Sequence, residues 1–539
     1  MGEQEMNLIL LGFIVFIFLL INGFLAFLGF RGTRNASDYL LAGRKAHPVI
    51  MAISYGATFI STAAIVGFGG AAAVYGMGVL WLTFLTIFVG VFIAFALFGK
   101  RTRKISHNLD AHTFPEFIGK RFNSRFLQTA SGLLVFVAMP LYAGSVIIGG
   151  TQFIAQTLEI NYEIALLFFV SVVSVYVVMG GLKGVMYADA FQGTLMFAGM
   201  VFLLIYTYTM LGGVVDAHSS LTALKGEAVE LFGHLGHRGW TAMPEAGSVF
   251  WWQLVSTIVL GVGIGVLAQP QLVVRFMTVK SNRELNRAVL IGGVFIIMMT
   301  GVAFIVGALS NVYFSREMGL SSFLAVEKNT DNIIPLFINM AMPSWFTAIF
   351  FVTLLGAAIS TLSSQFHTMG SAFGRDFLEQ GLGVKTRSSI LTTKLSMCFT
   401  ILVSASLAYV LPHFFEQGSA IIAIGTAIFF GLCAATFLPL YFGSLYTRRI
   451  TKAGAIACFV SGLSVSSFWL IFVQTRASEP LGICRAIFGV DSLASSPWLQ
   501  NVDPVVAALP VSILCTIVFS LFSKPPEEIY LDEVFRGVR

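Results

Sequence analysis

Between Asn332 and Gly374 the chain carries no Asp, Glu, Lys or Arg. An uncharged run of that length exceeds the roughly 20 residues that cross a bilayer core as a helix. Inside hydrocarbon a backbone must also satisfy its own N–H and C=O groups, which a helix does. Twelve further apolar stretches repeat the pattern. Thirteen spans are expected, near 7–30, 47–76, 78–99, 127–158, 163–180, 185–212, 248–270, 286–313, 345–374, 388–411, 418–446, 453–474 and 505–523. Charged residues make up only 11% of the 539 positions, against about 25% in soluble domains. The class this implies is an all-α polytopic membrane protein, seated in the lipid bilayer of the cell membrane. The first span is not read as a secretory signal. Its leader carries Glu3 and Glu5 and no basic residue, and its apolar run is longer than a signal core.

The centre of the uncharged run reads Gly356-Ala357-Ala358-Ile359-Ser360-Thr361-Leu362-Ser363-Ser364. A hydroxyl in hydrocarbon is costly unless something hydrogen-bonds or coordinates it. Helical spacing puts Ser360, Ser363, Ser364 and His367 on one side, with Thr361 beside them. Uncharged oxygens suit a hard monovalent cation such as Na⁺. The same hydroxyls can instead bond back to carbonyls one turn earlier, or let two helices pack closely.

Charge placement sets the orientation. With the N-terminus outside, only Lys225, Arg238, Arg316, Lys328, Arg476 and Arg485 fall on the outer side, leaving 26 of the 32 basic residues inside. Such a bias predicts N-out, C-in. The basic character is thus a topology signal, and no nucleic-acid partner is expected. Of the five cysteines only Cys484 falls in an outer loop, and no Cys/His metal pattern is present. His234 and His237, with His218, are read as a solvated outer loop. The sequence holds no phosphate-binding loop, dinucleotide fingerprint or nucleophile elbow, and no enzymatic function is expected. With only a short stretch after residue 523, no attached soluble catalytic domain is expected.

Two long outer loops, 213–247 and 314–344, follow the sixth and eighth spans; counted from the second span, the first loop closes one set of five and leaves another five before the last two. That symmetry divides the chain into an extra N-terminal helix and inner loop (1–46), a repeat of five spans (47–212), the outer loop 213–247, a second repeat of five (248–446), and two extra helices with a short cytoplasmic tail (447–539). An odd number of spans per repeat forces the two to lie upside down relative to each other, a transporter signature. Such folds break the first helix of each repeat near the midplane. The first carries Gly56-Ala57-Thr58-Phe59-Ile60-Ser61-Thr62, then Gly67, Gly69 and Gly70. The second carries Gly261-Val262-Gly263-Ile264-Gly265, then Gln269-Pro270-Gln271.

Several ordered motifs resemble one family. Ser37-Asp38-Tyr39-Leu40-Leu41-Ala42-Gly43-Arg44 precedes the core, and Thr113-Phe114-Pro115-Glu116-Phe117 lies in an inner loop. Gly180-Gly181-Leu182-Lys183-Gly184-Val185 leads to Asp189-Ala190-Phe191-Gln192, and Gln269-Pro270 leads to Arg275-Phe276 and Lys280-Ser281. The Ala357–Ser364 run then ends near Asp376. Over about 35–450 the chain resembles the sodium:solute symporters, whose members carry proline, pantothenate, monocarboxylates, sugars or sialic acid. The resemblance implies a LeuT-type core of ten helices in a 5+5 inverted repeat, with extra helices outside.

It also implies a Na⁺ site between the first and eighth core helices. Its ligands here would be the carbonyls of Ala57, Ile60 and Ala357 and the hydroxyls of Ser360 and Thr361. Some members hold a second ion further inward, which would fall on Asp189, Ser360, Ser363 and Ser364. Asp189 is alternatively a hydrated group near the inner end of its span, or a waypoint for a departing ion. The substrate side of the first core helix falls at Thr62, Ala63 and Ala64. The facing break falls at Val262 and Gly265, and Tyr142, Tyr187 and His367 are candidate polar contacts. These small side chains disfavour a polyol, which needs many hydrogen-bond partners. They suit a short monocarboxylate or a small amino acid such as proline, its carboxylate held by backbone N–H groups. The expected activity is Na⁺-coupled symport of a small solute by alternating access, with no obligate protein partner. Proton coupling through His367 and Asp189, and a solute sensor acting with a separate signalling partner, are the alternatives.

Overall fold

A computed structural model describes residues 8–31, 36–44, 46–384, 388–414 and 421–538. Glu3 and Glu5 lie outside these, as do Arg34, Lys45, Lys385, Arg387 and Arg539 among the basic residues counted on the inner side. All thirteen expected spans fall on helices. Among the described residues ten helices are long and apolar enough to cross a membrane, and Pro48–Phe59, Tyr162–Val175 and Val505–Leu521 are shorter apolar helices.

The chain opens with α1 (Leu8–Arg31). The first core helix follows in two pieces, α2 (Pro48–Phe59) and α3 (Ala63–Gly67 continued by Phe68–Tyr75). Pro48 starts α2 where its missing N–H is no loss, and the His47 ring accepts from the Val49 N–H. Gly76, at φ 75, turns the chain into α4, which runs from Leu80–Leu85 through Thr86–Gly99 to Lys100–Asn108. Only glycine fits that turn: a Cβ there would lie 2.2 Å from the Trp240 carbonyl oxygen. The short α5 (Phe114–Arg121) leads to α6 (Arg125–Leu158), started by the Ser124 hydroxyl accepting from Leu127 N–H. Next come α7 (Tyr162–Val175) and α8 (Gly181–Met210), separated at Gly181 by non-helical dihedrals of φ 58 and ψ 175.

After two outer helices, α9 (Val214–Ala223) and α10 (Lys225–Phe232), the second half begins. Its first helix is again in two pieces. These are α11, from Val249–Trp252 through Val266–Ala268, and α12 (Pro270–Met277). Then follow α13 (Asn282–Met318), the short α14 (Ile333–Ala341), α15 (Ser344–Ser371, extended by Ala372–Gly381), α16 (Ser389–Phe414) and α17 (Ile421–Tyr446). Outside the core lie α18 (Lys452–Phe472), α19 (Val505–Leu521) and the tail helix α20 (Glu528–Val534).

The order of helices is itself repeated. Each half has a broken helix, a long helix, a short helix and three more spans. The short α5 lies among the basic inner segments, whereas its counterpart α14 lies at the opposite end, as inversion of one half requires. α15 is almost wholly buried, while α1 and α18 are mostly exposed toward lipid.

Polar contacts gather the loops at two ends. At one, Arg103 bonds Asn282 and the Lys280 carbonyl, Arg121 bonds the Ser444 and Thr447 carbonyls, Arg125 bonds the Gln380 carbonyl, and Arg448 pairs with Asp532. Asn108 donates to the Val534 and Arg536 carbonyls, so the C-terminal tail seats on the same basic end. The segments assigned to the inner side by charge therefore meet in space.

At the other end, residues 213–247 are folded rather than solvated. Trp240 is fully buried and its carbonyl accepts from Met77 N–H at 2.7 Å. His237 is buried against Phe232, Trp240 and Phe250, its Nε2 3.0 Å from the Val74 carbonyl oxygen. Burial lowers its basicity. The solvated reading of His237 is thus corrected: the apolar residues around it make a cap over α3.

Candidate functional site

The first core helix ends at Phe59 because Ile60 is extended, at φ −85 and ψ 108. Ser61 is non-helical and the helix resumes behind it. A break of two residues frees the carbonyls of the last turn of α2, which then need other partners. α15 supplies them. Ser360 Oγ donates to Ala57 O at 2.9 Å and also lies 3.1 Å from Ala357 O. Thr361 Oγ1 lies 3.1 Å from Thr58 O and 3.4 Å from Ala57 O. All of these residues are fully buried. Ala57, Ala357, Ser360 and Thr361 therefore meet as a knot of uncharged oxygens. The fifth expected ligand, Ile60, is the extended residue of the break. The donor set is oxygen only, as a hard cation requires. Among the described residues no group of three His, Cys, Asp or Glu could hold another metal.

Just inward of this knot lies a buried ion pair that sequence reasoning did not foresee. Asp189 is not hydrated. It is 0% exposed and pairs with Arg275, itself 1% exposed, at 3.0 Å. Ser54 Oγ donates to the same carboxylate oxygen at 2.7 Å. The Arg275 Nη2 also donates to Thr58 Oγ1 at 3.0 Å and to Ser364 Oγ, and these two hydroxyls lie 3.0 Å apart. Ser363 Oγ turns away to the Ser360 carbonyl, 3.1 Å distant. In the sequence Arg275 stands out only as one of the inner basic residues and as part of the motif that runs from Gln269-Pro270 to Arg275-Phe276, with no partner assigned. Its signal was its position six residues after Gln269, on the short helix behind a break. A buried pair of this kind is held by mutual compensation, and removing one partner strands the other charge at about 3–5 kcal/mol.

Outward of the knot, beside the first broken helix and among α4, α6, α11, α13 and α17, lies a small cavity of about 20 Å³, room for about one water. Ala64, Val262 and Tyr142 line it, as expected. Thr62, Ala63 and Gly265 do not. The Thr62 hydroxyl is committed to the Val146 carbonyl at 2.7 Å, Ala63 is buried in packing, and a Cβ on Gly265 would lie 2.3 Å from the Phe430 carbonyl oxygen. Ser61, Phe59, Phe68, Phe304 and Phe430 complete the wall together with Thr86, Thr300 and Thr426. Those three threonines satisfy themselves on carbonyls of their own helices. Ser61 Oγ is buried and makes no hydrogen bond, with the Tyr142 phenol as its electrostatic neighbour. An unsatisfied hydroxyl facing an aromatic-walled cavity is a place for a ligand's polar atom.

The facing break does not fall at Val262 and Gly265, which remain helical. It falls at Gln269, extended at φ −71 and ψ 116, because Pro270 forces the residue before it out of the helical region. His367 and Tyr187 are also displaced from the cavity. His367 Nε2 lies 3.0 Å from the Tyr39 carbonyl oxygen and its ring packs on Tyr39, while Tyr187 lines an inner crevice with Asp38 and Lys183. A larger crevice of about 1160 Å³ opens at the inner end between α17, α19 and the tail, but its lining is mainly apolar and holds none of the unsatisfied polar atoms.

Known proteins share this architecture. Over 96% of this chain and 98% of its own, a Na⁺-coupled sialic acid symporter in a substrate-bound, outward-open state superposes with a TM-score of 0.72 at 18% identity. Mhp1, a nucleobase-cation-symport-1 family transporter in a closed conformation with bromovinylhydantoin bound, gives 0.52 at 14% identity over 93% and 99%. In sequence, the osmoregulated proline transporter OpuE of Bacillus subtilis is 27% identical over 88% of this chain and 90% of its own length. The sodium/proline symporter of Staphylococcus aureus is 26% identical over 95% and 92%. The sodium:solute symporter family model matches residues 39–462. The chain belongs to the sodium:solute symporter family, and with it to the multi-pass membrane transporters that couple movement of a small solute to Na⁺ and are not enzymes.

Proposed function

We propose that the protein imports a small amino acid or short monocarboxylate, with proline the first candidate, by Na⁺-coupled symport through alternating access. The observation that carries this reading is the cavity beside the first helix break: lined by five aromatic rings, of about 20 Å³ until outward opening widens it, and furnished with one unsatisfied hydroxyl, Ser61. Its aromatic wall fits a compact apolar body, and Ser61 with Tyr142 offers polar contacts. A polyol would leave most of its hydroxyls unpaired there. The similarity to proline transporters of two bacteria supports the same class.

In this reading Na⁺ takes the Ala57, Ile60, Ala357, Ser360 and Thr361 oxygens from the outer side and holds α2 against α15. Solute then enters the cavity, and the repeats 47–212 and 248–446 rock against each other. A 100 mV potential supplies about 2.3 kcal/mol per charge, and a tenfold Na⁺ gradient about 1.4 kcal/mol. Together they sustain roughly 500-fold accumulation of a neutral solute per Na⁺. Proton coupling through His367 is disfavoured by its place against Tyr39, away from both the knot and the cavity.

The test is charge movement in proteoliposomes given acetate, propionate, pyruvate, lactate, proline, pantothenate and glucose in turn, in Na⁺ and in choline. A Na⁺-dependent current with proline or one of the short monocarboxylates is the expected result. A response to glucose alone, or currents that persist in choline and follow pH, would overturn the reading.

A further inference from the structure

The oxygens of the ion knot continue inward without interruption. Thr361 bonds the Thr58 carbonyl, the Thr58 hydroxyl lies against Ser364, and Ser364 and Thr58 converge with Asp189 on one point. That point is lined by two hydroxyls and a carboxylate, a setting that attracts a cation. It already holds one. A single guanidinium nitrogen, Arg275 Nη2, donates to Thr58, Ser364 and Asp189 together. While it does so, those oxygens are not available to Na⁺.

The arm that carries this charge is set apart from its neighbours. The other groups come from α2, α8 and α15, whereas Arg275 stands on α12, which is joined to α11 through the one extended residue Gln269. Rotation about Gln269 can withdraw the guanidinium without unfolding a helix. The partner left behind is prepared for an ion. Asp189 keeps the Ser54 hydroxyl on one oxygen, and its other oxygen, Oδ1, is buried with no hydrogen bond.

We propose that the Arg275 guanidinium is a tethered cation, holding the Asp189–Ser364–Thr58 position against Na⁺ and keeping the inner end of the ion path shut until α12 moves. The inference rests on the reading of the Ala57–Ser360 knot as the Na⁺ site. Na⁺ leaves that knot by exchange: the ion reaches Asp189 only as the guanidinium departs. An arm of this kind ties ion release to motion of a broken helix, and its loss opens a leak that needs no solute. Asp189 and Ser364, two of the residues expected from the family resemblance to form a second Na⁺ site, then act with Thr58 as a waypoint in which a built-in cation and the travelling one alternate, while Ser363 stays on the Ser360 carbonyl.

The experiment reads efflux of ²²Na⁺ from preloaded proteoliposomes with no solute present, alongside ²²Na⁺ binding to the same proteins in detergent. Wild-type efflux is slow. Arg275→Gln and Arg275→Ala are expected to raise it at least tenfold while ²²Na⁺ binding persists. Methylguanidinium added to Arg275→Ala should bring efflux back to within twofold of wild type, which a merely structural defect would not allow. Because the single variants strand Asp189, the double variant Asp189→Asn/Arg275→Gln serves where they fail to fold. With no stranded charge and no arm, it is expected to leak severalfold faster than wild type. Wild-type efflux from any of these proteins that still binds ²²Na⁺ overturns the proposal. A wild-type protein that binds no ²²Na⁺ fails one step earlier, at the knot itself.

Discussion

The two helix breaks interrupt the first helix of each half but are made in different ways. In the second, the cause is local. Pro270 excludes the helical conformation at Gln269. The break then satisfies itself: Gln271 donates to Gln269 Oε1 at 3.2 Å, and the Gln269 carbonyl receives the Leu272 and Val273 N–H groups. The first break contains no proline. Its freed carbonyls at Ala57 and Thr58 are satisfied by Ser360 and Thr361, some three hundred residues away. One break is therefore a property of its own segment, and the other exists only in contact with α15. A break kept open by a partner's hydroxyls can respond to an ion that competes for the same oxygens. A break kept open by proline stays put and can serve as a hinge.

The largest effect should come from removing the partner. Ser360→Ala/Thr361→Ala deletes hydrogen bonds worth about 1 kcal/mol each together with two ion ligands. The Na⁺ concentration for half-maximal binding is expected to rise about 100-fold, read by ²²Na⁺ titration. Unchanged Na⁺ dependence would refute the knot and reduce its hydroxyls to helix packing.

Solute and ion should separate at the next residue outward. Ala64 lines the cavity, whereas Ala63 is packed away from it. Ala64→Trp puts an indole into a space with room for about one water, an overpacking of at least about 2 kcal/mol. Uptake is expected to fall roughly 30-fold while ²²Na⁺ binding stays within twofold. Equal losses in both would mean that the indole disturbs the knot and that cavity and ion site are not separable.

The same distinction between local and remote causes explains what was legible in the sequence. All thirteen spans could be read because apolar length is a local property, and the Ser360–Ser364 cluster stood out because hydroxyls are conspicuous in such a run. The Gln269-Pro270 break was visible as a Pro signal, although it was placed a few residues too early, at Val262 and Gly265. Arg275 was read as one more inner charge because its partner, Asp189, lies 86 positions away. Nothing in either neighbourhood states that the two are buried together. Ser61 was quoted within a motif, yet its lack of a hydrogen bond is a fact of the packed structure. His237 misled for the opposite reason: its loop is polar in composition, and only folding brings Trp240, Phe232 and Phe250 around it.

Pro270→Ala tests the hinge. It restores a backbone N–H and lets Gln269 become helical, but the glutamines that satisfy the break remain. The expected loss is about threefold in uptake rate, or less than 1 kcal/mol, with Na⁺ affinity unchanged. A change in Na⁺ affinity as large as that of the Ser360→Ala/Thr361→Ala protein would erase the contrast between the two breaks.

The smallest effect belongs to a helix start written wholly in its own residues. In Thr113-Phe114-Pro115-Glu116 the Thr113 hydroxyl accepts from Glu116 N–H at 3.1 Å, and Glu116 Oε2 accepts from His112 N–H at 2.9 Å. Glu116 also pairs with Lys120 at 2.8 Å and Arg375 at 3.2 Å. Burial pushes the Glu116 carboxyl up, but Arg375 and Lys120 more than offset it and hold it below the usual value of 4.5. A carboxyl lowered in the folded state contributes stability above that value, and the contribution is lost as pH falls from about 4.5 through the lowered folded value. Glu116→Gln keeps the reciprocal cap, for which Gln also serves, and loses only the charge. It is expected to cost about 0.5 kcal/mol at pH 7, read as a lowered midpoint of thermal unfolding, and to flatten the loss of stability on the acid side. A variant as stable as wild type at pH 7 and equally acid-sensitive would show that α5 is held by packing and capping alone, with no contribution from its ion pairs.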